Sequence, residues 1–201
     1  TEDTQHLVNA GVIPQALRCL APGFGSDIVE QALWTLSNIA GDGPRFRDLC
    51  LAEDGFVAAI ARVTMDESLP SKCRETAAWT ISNACRGKPL PDWAKLADAL
   101  PALKYVIDNA SSPNITLEAV KRALWAVNHL TDGPDDSVIQ KVLDLDVMPA
   151  VMNMLRGFVA PPPPPFDAEN PLERGHDYRQ VMRHDVPHDI LYDVLQFVPA
   201  A

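Results

Sequence analysis

The chain has 201 residues, of which 47% are hydrophobic and 6% aromatic, and its formal net charge at pH 7 is −10. This length allows one domain with its own core, or a short array of repeats stabilised by contacts between neighbours. The acidic balance argues against nucleic acid or an anionic membrane as a partner and favours a cationic one. No apolar run approaches the length that is needed to cross a bilayer.

Helical periodicity begins near the N-terminus, where residues 4–10 and 12–17 predict two short helices, with Pro14 in the first turn of the second. We expect Asp27 to cap a longer third helix that ends at Gly41. Two short helices and one long helix therefore form one predicted unit. The same order returns twice and then begins again, in predicted helices at 45–52, 55–65, 70–85, 92–99, 100–108 and 114–130 and in a fourth unit at 137–155.

The three long predicted helices share a motif. The run EQALWTLSNIAGD at 30–42 returns as TAAWTISNACRG at 76–87 and as RALWAVNHLTDG at 122–133. The first Trp is separated from the second by 45 residues and the second from the third by 46, a period typical of armadillo and HEAT helical repeats. We therefore expect an all-α, right-handed armadillo solenoid of three-helix repeats.

Each copy of the motif places a polar residue four positions after its Trp. Residues four apart lie one turn apart on a common helix face, so stacked repeats should align these pairs as a double row. A single Trp is more often a core residue, but a polar partner in every copy favours an exposed row. We call this row the Trp–Asn ladder, and its members are Trp34, Asn38, Trp79, Asn83, Trp125 and His129.

The four cysteines are far apart, with no C-x-x-C pair and no histidine at ligand spacing, and three of them lie on apolar helix faces. This pattern predicts reduced core cysteines in an intracellular protein, with no metal site and no cofactor.

The repeat pattern is lost after Gly157, which divides the chain into predicted repeats at 1–157 and a divergent, proline-rich tail at 158–201. The five prolines at 161–165 predict an extended segment that could act as a linker. Residues 190–198 again have helical spacing. This helix could complete the fourth repeat or cap the open end of the stack, and the sequence leaves both alternatives open.

Three strings of the sequence point to a particular family: EQALWTLSNIAGDG at 30–43, CRGKP with PDW between 85 and 93, and LTDGP at 130–134. They closely resemble the armadillo repeats of importin-α, the adaptor that carries nuclear localisation signals. The resemblance runs from about Thr4 to Leu155. It implies a fragment that covers the major signal-binding repeats, with about three full repeats and partial ends.

The resemblance implies a non-enzymatic nuclear import adaptor of the cytoplasm and nucleus that binds proteins bearing Lys/Arg-rich signals. Physics supplies a compatible mechanism: Asn amides can bond the backbone of an extended peptide, and Trp faces can receive the stem and charge of Lys or Arg in slots between them. By resemblance, Asp42 holds a lysine ammonium with help from Thr4. Gln31, Glu118 and Asp132 match further contact positions of the family.

Three positions depart from the family's pattern: His129 replaces a tyrosine, Arg122 replaces an acidic residue, and Thr76 replaces an asparagine. The histidine makes one position of the ladder titratable near neutral pH. The arginine should weaken the lysine slot that it faces, so we expect reduced selectivity at that end. The basic segment that binds importin-β in the family is not in these residues, which implies cargo recognition without recruitment of importin-β.

Two other classes of function compete with this interpretation. A generic armadillo scaffold would carry the ladder as a relic and would use the proline-rich tail as a ligand for aromatic-lined grooves. An enzyme or metalloprotein would need a site such as His184 and His188, but Pro187 lies between them and no third ligand is evident. No nucleophile motif, phosphate loop or pair of catalytic carboxylates is evident.

Three further residues are interpreted as structural. We expect Trp93, which precedes a short helix, to pack and not to bind. Arg45 and Arg47 are expected on a solvated helix face.

Overall fold

A computed structural model describes residues 1–158, and every regular element in this part of the chain is helical, which confirms the predicted all-α class. The elements are α1 (Glu2–Asn9), α2 (Val12–Arg18), α3 (Ser26–Gly41), α4 (Pro44–Ala52), α5 (Phe56–Met65), α6 (Ser71–Cys85), α7 (Trp93–Leu96) with a 3₁₀ turn (Ala97–Ala99), α8 (Leu100–Asp108), α9 (Leu117–Thr131), α10 (Asp136–Leu143) and α11 (Met148–Phe158).

Residue contacts divide the chain into two compact units, of which the first is Thr1–Val147 and the second begins at Met148. The first unit contains three successive sets of two short helices and one long helix, followed by α10. In the second unit, α11 is the described element. The predicted proline segment at 161–165, the predicted helix at 190–198, and His184 and His188 lie outside the described residues.

The long helices α3, α6 and α9 pack side by side, with α6 against both of the others. Because α6 has a long helix on each side, eleven of its fifteen residues are buried, far more than on a helix with one apolar stripe. Its buried positions include the small residues Ala77, Ala78 and Ala84, which let the neighbouring backbones approach closely. This packing order fixes where the Trp-bearing faces lie.

Two helix starts differ from the predictions. The prediction that Asp27 caps α3 is wrong, since Gly25 is the N-cap residue and Asp27 lies in the first turn, where its charge favours the helix dipole. Helix α9 begins at Leu117 and not at residue 114, because the Thr116 hydroxyl accepts a hydrogen bond from the Ala119 amide at 3.1 Å.

Two buried arginines join successive sets of helices. Arg47 on α4 is 1% exposed, and its Nη1 donates to the carbonyl of Arg86 at 2.8 Å. Arg74 on α6 donates from Nη2 to the carbonyl of Asn114 at 2.8 Å. The expectation of a solvated Arg47 is therefore wrong, because the carbonyls that it binds lie in the loop after α6. Both guanidinium groups fix loops next to the long helices.

Candidate functional site

The tryptophans of the ladder stand on the three adjacent long helices. Trp34 on α3 is 49% exposed and Trp125 on α9 is 37% exposed, while Trp79 on the central helix is half-buried. All three tryptophans are therefore at least partly accessible, and several exposed aromatic side chains are more informative than a single one.

Trp34 and Trp79 contact each other directly. Their ring centroids are 6.5 Å apart and the rings are tilted by 83°, an edge-to-face pair. An aliphatic stem between two rings needs van der Waals contact of about 3.5–4 Å on each side, or roughly 7–8 Å in all. The expectation of an open slot between neighbouring Trp faces is therefore wrong for this pair, which would have to separate to admit a lysine.

Trp79 also has a cation against its ring. The guanidinium carbon of Arg122 lies 5.7 Å from the centroid of the Trp79 ring, within the range of a cation–π contact. Arg122 Nη2 lies 3.9 Å from a carboxylate oxygen of Glu118, and the other oxygen of Glu118 is 3.2 Å from Lys121 Nζ. The arginine that departs from the family's pattern thus lies against a tryptophan of the predicted ladder.

The two asparagines of the ladder differ. Asn38 is exposed, and its side chain makes no hydrogen bond within residues 1–158. Asn83 is 5% exposed, and its Nδ2 donates to the backbone carbonyl and to the hydroxyl of Ser37, each at 3.0 Å. The prediction of an exposed Asn83 is wrong, because α3 packs against this side of α6. The amide protons of Asn83 join the two helices.

His129 stacks on Trp125, with ring centroids 5.7 Å apart and planes inclined by 27°. Partial burial lowers the pKa of the imidazole below its ordinary value of 6.5, and the positive charges of Arg86 and Lys88 lower it further, against an opposing effect of Asp132. The neutral form is therefore favoured, and a neutral imidazole presents one donor and one acceptor to a ligand.

The fold brings Asp42 and Thr4 together, as the resemblance implies. Asp42 follows the last residue of α3. The Thr4 hydroxyl on α1 donates a hydrogen bond to its carboxylate. A carboxylate with a neighbouring hydroxyl can accept hydrogen bonds from an ammonium group.

The other carboxylates of the predicted site hold cations. Lys88 Nζ lies 2.9 Å from a carboxylate oxygen of Asp132 and donates to its backbone carbonyl at 2.7 Å. With Glu118 against Arg122, two predicted acidic positions each pair with a side-chain cation of this chain. Gln31 is exposed but lines a shallow groove between α2 and α3, so it is not joined to these ion pairs.

Sequence reasoning missed two residues of this surface, Arg86 and Lys88. Arg86 Nη2 donates to the Gly41 carbonyl at the end of α3, at 2.8 Å, and Lys88 reaches the end of α9. Cations favour helix C-termini, where carbonyls lack partners. Basic residues directly after α6 were a usable signal, but which helix ends they reach depends on the stacking.

Clusters of metal-binding side chains, long apolar helices and reactive thiols would each suggest another kind of site. Between residues 1 and 158 there is no group of three or more His, Cys, Asp or Glu side chains that could hold a metal ion. None of the helices in this part of the chain has the length and apolar character of a transmembrane span. Burial raises the pKa of the Cys50 and Cys85 thiols to about 12, which makes both poor nucleophiles.

Comparisons with known proteins agree with this architecture. The family model of the armadillo/beta-catenin-like repeat matches residues 1–41, the span of α1 to α3, so these helices form one repeat. A solved structure, a designed armadillo repeat protein in complex with the peptide (KR)4, superposes with a TM-score of 0.63 at 19% sequence identity, over 76% of this chain and 60% of that one.

Two sequence relatives are more specific. Importin subunit alpha-2 of Arabidopsis thaliana is 35% identical over 156 residues, which are 78% of this chain and 28% of that protein. Importin subunit alpha-1b of Oryza sativa subsp. japonica is 34% identical over 155 residues, or 77% of this chain and 27% of that protein. The chain thus spans little more than a quarter of the length of either relative.

The stacked Trp-bearing helices and the solved structures that they match define the class: this chain has an armadillo-repeat fold. Within that class it is related to the importin-α subunits, and the resemblance inferred from the three sequence motifs is confirmed.

Proposed function

We propose that this chain binds Lys/Arg-rich nuclear localisation signals along the Trp–Asn ladder, as a non-enzymatic nuclear import adaptor of the cytoplasm and nucleus. The observation that carries the proposal is the pairing of acidic groups with cations on one surface. Glu118 and Asp132 each pair with a side-chain cation of the chain itself. Side chains that hold these cations can hold those of a peptide.

Binding is then an exchange of cations. The side chains of Glu118 and Asp132 are 48% and 66% exposed in their ion pairs, and exposed pairs contribute only about 0–1 kcal/mol each. A lysine-rich segment can therefore replace the internal partners at low cost. It gains contact with the tryptophan faces as its aliphatic stems lose water.

The Asn38 amide is available for the peptide backbone. An extended chain on this surface has unpaired N–H and C=O groups, and a carboxamide can both donate to and accept from one residue. Thr4, Gln31 and His129 would add polar contacts around it. Importin-β, the transport partner that the resemblance implies for the full-length family, takes no part in this binding step.

The test is a fluorescence-anisotropy titration of a labelled lysine-rich peptide. The double variant Trp34→Ala with Asn38→Ala removes an exposed pair of the ladder. The Asn38 side chain makes no hydrogen bond within residues 1–158, so its loss should not disturb the core. We expect the affinity of the double variant to fall about tenfold or more, as for an aromatic anchor of an interface. Asp42→Asn should also weaken binding, because it removes the charge that we expect to hold a peptide lysine.

The matched control is Asp54→Asn, which makes the same change of charge in an exposed turn between α4 and α5. It should bind like the wild type, and added salt should weaken binding to both. A folded wild-type chain that does not bind, or a ladder variant that binds equally well, would contradict the proposal. The alternative would then be a scaffold that interacts through the proline-rich tail.

A further inference from the structure

The ladder is not uniform in charge, because one of its positions presents a cation. Arg122 stands one turn before Trp125 on α9, and it reaches across to α6, where its guanidinium lies 5.7 Å from the Trp79 ring centroid. At the ends of α3 and α9, by contrast, Asp42 and Asp132 present carboxylates. A bound peptide therefore meets anions at two positions and a cation between α6 and α9.

The charge of Arg122 is only weakly neutralised. Its ion pair with Glu118 is 3.9 Å long, at the limit of direct contact, and the same carboxylate lies closer to Lys121, at 3.2 Å. The Arg122 side chain is also 40% exposed, so a ligand can reach it. The N–H donors of a guanidinium match the two oxygens of a planar carboxylate, which it can bind through two parallel hydrogen bonds.

We propose that Arg122 is a specificity-determining residue, which disfavours Lys or Arg at the peptide position facing Trp79 and favours an acidic side chain there. This inference rests on the proposed function, since it concerns the peptide bound on the same ladder. A peptide lysine at this position must displace the guanidinium from the indole or lie beside a like charge. A peptide glutamate leaves the arginine over the indole and pairs with it. The preferred ligand is a basic peptide with one acidic residue at the position that faces Trp79.

The experiment compares a lysine-rich peptide with a set in which each lysine in turn is replaced by glutamate. Each peptide is titrated by fluorescence anisotropy against the wild type, Arg122→Gln and Arg122→Glu. The matched control is Lys104→Gln on α8, which removes one positive charge from a side chain that is 42% exposed and pairs with Asp108. Thermal unfolding curves establish that every variant is folded.

We expect one peptide position at which the wild type binds Glu about threefold or more tighter than Lys, the size of an exposed charge-assisted contact. At that position Arg122→Glu should reverse the preference by about tenfold, and Arg122→Gln should abolish it. Lys104→Gln should keep the wild-type preference. If Arg122 only stabilised the fold, its substitution would not reverse the relative affinities of the Lys and Glu peptides at a single position.

The outcomes separate the two proposals. If the wild type binds the parent peptide but Arg122→Glu keeps the wild-type order at every position, the specificity role is overturned and signal binding stands. A gain that is equal at all positions also overturns it, because general charge would then be the cause. If no folded variant binds any peptide of the set, the proposed function fails, and this inference fails with it.

Discussion

Asn83 is predicted to be a stability residue, although its motif is the same as that of Asn38. Asn83→Ala removes two buried hydrogen bonds to Ser37, a residue that is 0% exposed. At about 1 kcal/mol for each buried bond, the free energy of unfolding should fall by about 2 kcal/mol. Asn38→Ala removes an exposed amide without a described partner, so its effect should lie within about 0.5 kcal/mol.

The assay is equilibrium unfolding in urea, followed by far-ultraviolet circular dichroism, for the wild type and the two single variants. With a urea dependence of about 2 kcal/mol per molar, the midpoint of Asn83→Ala should fall by about 1 M, and that of Asn38→Ala should barely move. Equal midpoints for the two variants would refute the reasoning. If the difference is found, loss of peptide binding in Asn83→Ala reports partly on folding, and Asn38→Ala becomes the cleaner test of ladder contacts.

Three further predictions follow from the same surface. A Cβ on Gly41 would lie only 3.0 Å from Nδ2 of Asn83, so Gly41→Ala should lower the urea midpoint of the wild type by about 0.5 M. In the Asn83→Ala background this close contact is absent, and Ala has a better helix propensity than Gly. Gly41→Ala should therefore not lower the midpoint in that background. Because burial holds the pKa of His129 below 6.5 in the folded chain, protonation of this imidazole favours the unfolded chain. The stability that neutral His129 contributes is complete above pH 6.5 and is lost as the pH falls towards the folded-state pKa. His129→Gln should therefore flatten this part of a curve of unfolding free energy against pH. The Cys85 thiol, whose pKa burial raises to about 12, should react with an alkylating reagent only after unfolding, whereas half-buried Cys19 should react in the native state; equal native-state rates, measured by mass spectrometry, would contradict this.

The parts of the structure that could be predicted from the sequence are those fixed by local spacing. The period of the motif predicted the three long helices, and the four-residue interval predicted the contact between Trp125 and His129. The exposure of Trp34 and Trp125 followed from the same interval. These features depend on residues within one helix, where the 3.6-residue turn is a strong constraint.

The features that could not be predicted depend on what lies beside each helix. Asn38 and Asn83 occupy equal positions in their motifs, but the neighbouring long helix α3 covers the Asn83 side chain, whereas Asn38 is exposed. Arg47 is buried because its partners are carbonyls 39 and 40 residues away. Arg122 lies over an indole of another helix. Periodicity carries no information about such long-range pairs.

The pairing of the acidic groups also bears on how salt should act on binding. The net charge of −10 attracts a basic peptide from a distance, and salt screens that attraction. Each internal ion pair that the peptide must displace is screened by the same salt, so part of the loss is offset. A peptide lysine that replaces Lys88 at Asp132 should therefore make the salt dependence shallower than the number of lysines in the peptide suggests. Removal of this internal competitor, by Lys88→Gln, should steepen that dependence, and an unchanged slope would show that the peptide binds without this exchange.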